Sequence, residues 1–381
     1  MENRLKAISL FANVGVAEAY LEELGIDVVL ANEINEERAN FYRHLYPKTE
    51  MICGDITKSN IQDEIVRKSL EQRIDIVMAT PPCQGMSIAG KMDPLDERNH
   101  LIFYAIQIIK QLNPKYIFLE NVPQLLTTKI KVNEEIMLIP EYLHKELGDE
   151  YTFAKQNLVS AKDYDVPQMR RRNIFLITRK DMLYKWEIPE PHKQITLKEA
   201  IGDLPSVDPL LKEGMKETIK LFPDFEKKKK EALKISKFHF PPKHAKKHVI
   251  AMMHTPSGHT AFDNPVFYPK KDNGDRVNGH YNTYRRYAWD KPCRTITQNN
   301  GVISSLCCVH PGRKYKTLNG EYLYSDPRCL TLLELFIVSS LPVDWNVPEW
   351  ADEQLIRKVI GEGIPPMLVK NIMKELVDNY R

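Results

Sequence analysis

No stretch of the 381-residue chain is apolar for long enough to cross a bilayer, which excludes a helical membrane protein. The six cysteines include no CxxC pair, and only Cys307 and Cys308 are neighbours. Neither a disulfide framework nor a zinc site is suggested, so reduced thiols and no metal are expected. The N-terminal run MENRLKAISLF lacks the apolar stretch and small-residue cleavage site of a secretory signal, so a cytoplasmic location is expected. There is no excess of one charge. The 54 Lys and Arg against 51 Asp and Glu leave a net +3, which neither demands nor excludes a nucleic-acid partner. No internal repeat or low-complexity linker interrupts the chain.

What remains is a soluble globular balance, 43% hydrophobic and 28% charged, in a chain long enough for one large domain and a smaller one. Basic residues gather at 170–172, 227–230, 243–247 and 285–286. The run at 227–230 is flanked by glutamates and reads as a solvated helix face.

The first half alternates β-branched runs with amphipathic stretches at the spacing of βα units. Strands are expected at 6–11, 27–31, 50–53, 74–79, 115–119 and 173–178. Helices are expected at 16–24, 36–45, 61–70 and 100–111. This pattern predicts an α/β fold, a Rossmann-like, mostly parallel sheet with helices on both faces. From Trp186 onward prolines, histidines and Asn-Gly turns become frequent, which predicts a second, irregular and β-rich domain. The expected division is 1–185, 186–349 and a helical return over 350–381.

In a parallel sheet ligands sit beyond the carboxyl ends of the strands, so residues just after each strand carry the functional reading. After the first strand, Phe11-Ala12-Asn13-Val14-Gly15 makes a tight turn that brings backbone amides close to a ligand. Eighteen positions beyond Gly15 (33 − 15), Glu33 ends the second strand, where a carboxylate can accept from both hydroxyls of a ribose. Asp55 follows the third strand and suits either an adenine amino group or a turn cap.

The strongest local signal follows the fourth strand, in Thr80-Pro81-Pro82-Cys83-Gln84-Gly85-Met86-Ser87. Two prolines stiffen the backbone and hold Cys83 at the sheet edge, where a thiol suits a nucleophile better than a core residue. A free thiol titrates near ~8.5, so a positive neighbour or proton removal during attack is needed. Glu120, in Glu120-Asn121-Val122 after the fifth strand, is the carboxyl that can stabilise charge on an attacked ring. In Gln168-Met169-Arg170-Arg171-Arg172 the period of a strand puts Arg170 and Arg172 on one face. A nicotinamide dehydrogenase would share the first two cues but gives no reason for the proline–cysteine segment.

With PPCQGMS, ENV, QMRRR, the GDI turn and a terminal GEGIPP in this order, the sequence resembles the cytosine carbon-5 DNA methyltransferases of bacterial restriction–modification systems. The match covers most of the chain. The resemblance implies S-adenosylmethionine as cofactor, duplex DNA as substrate and a cytosine flipped out of the helix. Cys83 would attack carbon 6, Glu120 would act at ring nitrogen 3, Arg172 would contact the base and hold Glu120, and Arg170 would sit beside them.

The same resemblance places the cofactor against Phe11, Asn13, Val14, Gly15, Glu33, Ile34, Asp55, Ile56, Pro82 and Leu101. Gln84 or Ser87 would enter the space left by the flipped base, and Thr295 would brace the phosphate beside it. The cluster Tyr281, Tyr284, Arg285, Arg286 and Tyr287 offers Arg285 and Arg286 for DNA contacts. A bacterial, cytoplasmic monomer is expected, with a cognate restriction endonuclease but no stable complex with it.

The chain departs from the family pattern at several positions. Asn13 and Val16 stand where glycine is usual, and Glu362 stands where asparagine is usual. The segment Arg328-Cys329-Leu330-Thr331-Leu332-Leu333-Glu334 lacks the proline–arginine pair usual there, for which altered packing rather than lost activity is expected. Two rivals remain: an RNA cytosine methyltransferase on the same fold, and a catalytically silent DNA-binding subunit.

Overall fold

The computed structural model describes residues 4–82, 100–132, 135–271 and 273–380. Strands β1 (Leu5–Leu10), β2 (Ile26–Glu33), β3 (Glu50–Cys53), β4 (Ile76–Ala79) and β5 (Tyr116–Asn121) pair in parallel in the order β3-β2-β1-β4-β5. A hairpin of β6 (Lys129–Val132) and β7 (Glu135–Leu138) follows outside this sheet. Then β8 (Tyr151–Phe153), β9 (Leu158–Ser160), the short β10 (Gln168–Met169) and β11 (Arg171–Arg179) complete the first half. Antiparallel pairing of β11 with β5, β8 and β9 closes one edge of the sheet.

The strands are apolar because both faces are covered. Ile8, Leu10, Val77, Ile117 and Leu119 pack on α2 (Ser59–Gln72), α3 (Leu101–Leu112) and α4 (Ile139–Leu147) through Ile65, Ile102, Ile106 and Leu143. Leu5, Ala7, Ile76, Met78 and Phe118 pack with Trp186 and with Leu368, Ile372 and Leu376 of the terminal helix. Helix α1 (Glu36–Leu45) begins at Asn35, whose side chain accepts from Arg38 N.

Residues 16–24, expected as a helix, are instead a chain of turns ending in a 3-10 helix over Glu22–Leu24. Successive i to i−3 bonds (Glu18 N to Gly15 O, Leu21 N to Glu18 O, Leu24 N to Leu21 O) replace the i−4 ladder. The segment starts from Gly15 at φ +81°, and Val16 is pinned against Gly363, where an added Cβ would lie 2.8 Å from Val16 Cβ.

Beyond Trp186 the chain is irregular, as expected, but its regular structure is more helix than strand. Helices α5 (Leu197–Ile201), α6 (Met215–Leu221), α7 (Phe225–Ile235), α8 (Lys246–Met253) and α9 (Leu332–Val338) alternate with short strands. These strands are β12 (Leu210–Leu211), β13 (Lys243–His244), β14 (Cys293–Arg294), β15 (Lys314–Lys316) and β16 (Tyr322–Tyr324). Proline and Asn-Gly density marks turns; it does not say what lies between them. The chain ends in α10 (Glu353–Glu362) and α11 (Pro366–Asn379).

Candidate active site

The strand order reverses between β1 and β4, so a crevice opens where the chain leaves these two strands for opposite sides. Thr80 ties the two exits together: its N–H donates to Leu10 O at 3.2 Å and its hydroxyl to Phe11 O at 3.2 Å. Pro81 and Pro82 follow. Cys83, Gln84 and Ser87 lie outside the described residues. What leads into Cys83 is fixed by the neighbouring strand, because Asn121 Nδ2 donates to Pro81 O at 2.9 Å.

Glu120 sits one residue earlier on β5, opposite Ile174 of β11. Arg172, two residues before Ile174, therefore projects from the same face, and its Nε lies 2.6 Å from Glu120 Oε1. Both side chains are almost fully enclosed. Burial pushes the Glu120 carboxyl above its usual range, with Arg172 and then Arg170 pulling against it. The result is a carboxyl that holds a proton more readily than an ordinary glutamate, braced by a fixed cation, one residue before the Asn121 that bonds Pro81.

On the β1–β2 side, Glu33 is buried and accepts from two backbone amides, Asn13 N at 3.0 Å and Asn35 N at 2.9 Å. Each carboxylate oxygen keeps a lone pair for a ligand. Phe11 and Asn13 take left-handed conformations (φ +61° and +52°) on either side of Ala12, and Val14 is buried. Gly15 lies against Tyr42 and Tyr46; an added Cβ would approach Tyr46 to 2.2 Å. Phe11, Ile56 and Leu101 belong to one apolar cluster, while Ile34 and Pro82 are exposed at the rim. Asp55 accepts from Thr57 N at 2.9 Å, so it caps its own turn, with Oδ2 near Lys58.

Arg170 is not in register with Arg172. It falls between β10 and β11, and its guanidinium donates to Ile296 O (2.8 Å), Gly361 O (3.0 Å) and Glu362 O (3.0 Å). These bonds tie the terminal segment to the sheet edge that carries Arg172. Gly361 permits the approach, since a Cβ there would lie 2.3 Å from Thr297 O. Thr295 donates to Met169 O at 3.0 Å, next to the pairing of β14 with β10.

Arg286, expected at the DNA, is fully buried, and that expectation is corrected. Its guanidinium donates to the carbonyls of Met252, His310, Asp326 and Tyr324. An arginine so enclosed holds loops together and cannot reach a phosphate. Arg285 points the other way, stacked 4.4 Å over the exposed Tyr281 ring while donating to Gly258 O at 2.7 Å.

The sequence reading missed three participants. Asn121 was quoted beside Glu120 without a role of its own. Arg38, paired with Glu362 at 2.7 Å, carried no local signal. Glu18, three residues past Gly15, is buried, and neither of its oxygens has a hydrogen-bond partner at normal distance among the described residues. Burial pushes its carboxyl up to about 7, with only partial relief from the Ser9 hydroxyl. Among the described residues no group of three His, Cys, Asp or Glu is placed to hold a metal, and no helix is long and apolar enough to cross a membrane.

The sequence profile of the C-5 cytosine-specific DNA methylases matches residues 5–378. The type II methyltransferase M1.HgaI of Avibacterium volantium is 38% identical over 381 residues, covering 99% of each chain. M1.HphI of Haemophilus parahaemolyticus is 25% identical, covering 98% of this chain and 87% of its own. A solved E. coli protein described as a prophage-encoded DNA modification methyltransferase superimposes with a TM-score of 0.66 at 20% identity, covering 98% of this chain and 99% of its own.

Proposed function

The chain belongs to the C-5 cytosine-specific DNA methylases, and on that premise we propose that it methylates carbon 5 of a cytosine flipped out of a specific duplex sequence. The observation that carries this reading is the enclosed Glu120–Arg172 pair, set on adjacent strands next to the Asn121 that tethers Pro81, which precedes Cys83 by two residues in the sequence. Full-length similarity to a type II methyltransferase supports a role as the modification arm of a bacterial restriction–modification system. We assign cofactor and base binding to 1–185, sequence recognition to 186–349 and closure of the crevice to 350–381, in a cytoplasmic monomer. A cognate endonuclease acts on the same sequence without a stable complex.

The residues lining the β1–β2 exits fit S-adenosylmethionine: the Glu33 carboxylate suits a ribose diol, and the Phe11, Ile56 and Leu101 cluster suits the flank of an adenine. When bound, the cofactor supplies an electrophilic methyl group on a sulfonium. The protein's own residues do the rest. The Cys83 thiolate forms a bond to carbon 6 of the cytosine, and the electron pair displaced from the 5,6 double bond makes carbon 5 nucleophilic. Glu120, with its raised proton affinity, holds a proton at ring nitrogen 3, where negative charge would otherwise build up. Arg172 fixes Glu120 and keeps the cleft polar where the base edge enters. After carbon 5 is alkylated, a base removes its proton and the Cys83–carbon 6 bond breaks, restoring the aromatic ring and the thiolate.

Incubating the enzyme with methyl-labelled cofactor and plasmid DNA, followed by bisulfite sequencing, tests this. The expected outcome is 5-methylcytosine in one sequence context. Label on an exocyclic nitrogen, or faster transfer to RNA, would contradict it.

A further inference from the structure

Five residues far apart in sequence close a ring of polar contacts around the exits of β1 and β2. Asn13 N–H donates to Glu33 Oε2 (3.0 Å), and Glu33 Oε1 accepts from Asn35 N (2.9 Å). Asn35 Oδ1 accepts from Arg38 N (3.0 Å), and the Arg38 guanidinium pairs with Glu362 Oε2 (2.7 Å). Glu362 Oε2 in turn accepts from Asn13 Nδ2 at 3.0 Å. One atom of this ring is left over: Asn13 Oδ1 is buried and has no hydrogen-bond partner among the described residues.

Its orientation is fixed. Turning the amide over would set its oxygen against the Glu362 carboxylate and lose the bond from Nδ2, so Glu362 holds Asn13 as an acceptor. A buried acceptor left without a donor is costly, which marks the position as one completed by a ligand. The cofactor's donors are its adenine amino group, its ribose hydroxyls and the ammonium of its amino-acid tail. Glu33, one bond away in the ring, suits the ribose. The apolar cluster of Phe11, Ile56 and Leu101 would suit the adenine. The ammonium is the remaining donor.

We propose that Asn13 Oδ1, oriented by Glu362 and Arg38, accepts a hydrogen bond from the ammonium of the cofactor's amino-acid tail. Asn13 is then a binding residue and Glu362 a positioning residue. Because Arg170 bonds the carbonyl of Glu362, the same contact links cofactor binding to the catalytic edge. This inference rests on the cofactor assignment made above.

The test compares two ligands by calorimetry on the full chain: S-adenosylhomocysteine, which carries the ammonium, and 5′-methylthioadenosine, which lacks the amino-acid tail. Asn13→Gly suits the left-handed backbone (φ +52°) and should fold, as circular dichroism would show; Glu362→Gln keeps the shape. Each variant should weaken S-adenosylhomocysteine on the order of tenfold, as expected for one charge-assisted bond, and leave 5′-methylthioadenosine unchanged. The double variant should lose little more than Asn13→Gly alone. Equal weakening of both ligands, or no change in either, overturns the inference while the cofactor assignment stands. Failure of the unaltered protein to bind S-adenosylhomocysteine overturns both.

Discussion

Two buried arginine–carboxylate clusters among the described residues are built for opposite purposes. At the sheet edge, Arg172 meets Glu120 through a single 2.6 Å contact, and burial still raises the Glu120 carboxyl. In the irregular half, Arg328 is fully enclosed between Asp326 and Glu334, with bonds of 2.9 Å to Asp326 Oδ1 and of 2.7 and 2.9 Å to the two Glu334 oxygens. Glu334 also caps α9 through Thr331, and Val207 N and Ser206 Oγ bond Asp326. Burial works against ionisation there too, but Arg328 and His310 outweigh it and hold Glu334 down at about 2. A carboxylate with every lone pair engaged is locked as an anion. One left incompletely paired can change its proton state, which chemistry on a ring requires.

The largest effect expected from this contrast is on rate. Glu120→Gln should lower methyl transfer by about 10²- to 10⁴-fold while the thermal midpoint barely moves. Unfolding monitored beside the initial rate checks this; a variant that loses stability and activity together would make Glu120 part of the scaffold.

Arg328→Ala should do the reverse. Leaving Asp326 and Glu334 buried without their cation should cost about 3–5 kcal/mol in urea unfolding, with the rate per folded molecule nearly kept. The Glu334 contribution also has a pH signature. Its folded carboxyl lies below the ordinary 4.5, so the stability is present above that value and lost as pH falls toward about 2.

A smaller effect of opposite sign belongs to Glu18. Its folded carboxyl sits near 7 against an ordinary 4.5, so its stability contribution is present below 4.5 and lost as pH rises through 7. Glu18→Gln should therefore stabilise the protein by about 2 kcal/mol at pH 8 and have little effect at pH 5. Unchanged stability at pH 8 would mean that the carboxyl is hydrated after all.

The smallest effect separates the two adjacent arginines. Arg285→Ala should reduce the salt dependence of DNA binding by about one unit of log–log slope. Arg286→Ala should lower stability instead, because four carbonyls lose their donor.

Much of the sheet was legible in the sequence. The strand over 50–53 and the helix over 36–45 appear with the expected limits, and the other strands of the main sheet shift by a few residues. Buried parallel strands announce themselves as apolar runs, and a site at their carboxyl ends follows from topology. What was not legible depends on contacts between distant segments. Asn13 and Glu362, two departures from the family pattern, turn out to be hydrogen-bonded to each other across 349 positions. Which of Arg285 and Arg286 turns inward is decided by the carbonyls of Met252 at the end of α8, Tyr324 at the end of β16, His310 and Asp326. The expected helix at 16–24 failed because its apolar spacing serves a packed series of turns in which Glu18 is buried.

The most direct test of the central claim is covalent capture. Duplex DNA carrying 5-fluorocytosine at the methylated position should, with S-adenosylmethionine, form a denaturant-resistant adduct with the enzyme, because fluorine at carbon 5 cannot leave as a proton does. Cys83→Ser should abolish the adduct. An adduct that survives the loss of that thiol, or none from an enzyme that still methylates cytosine, would contradict the account.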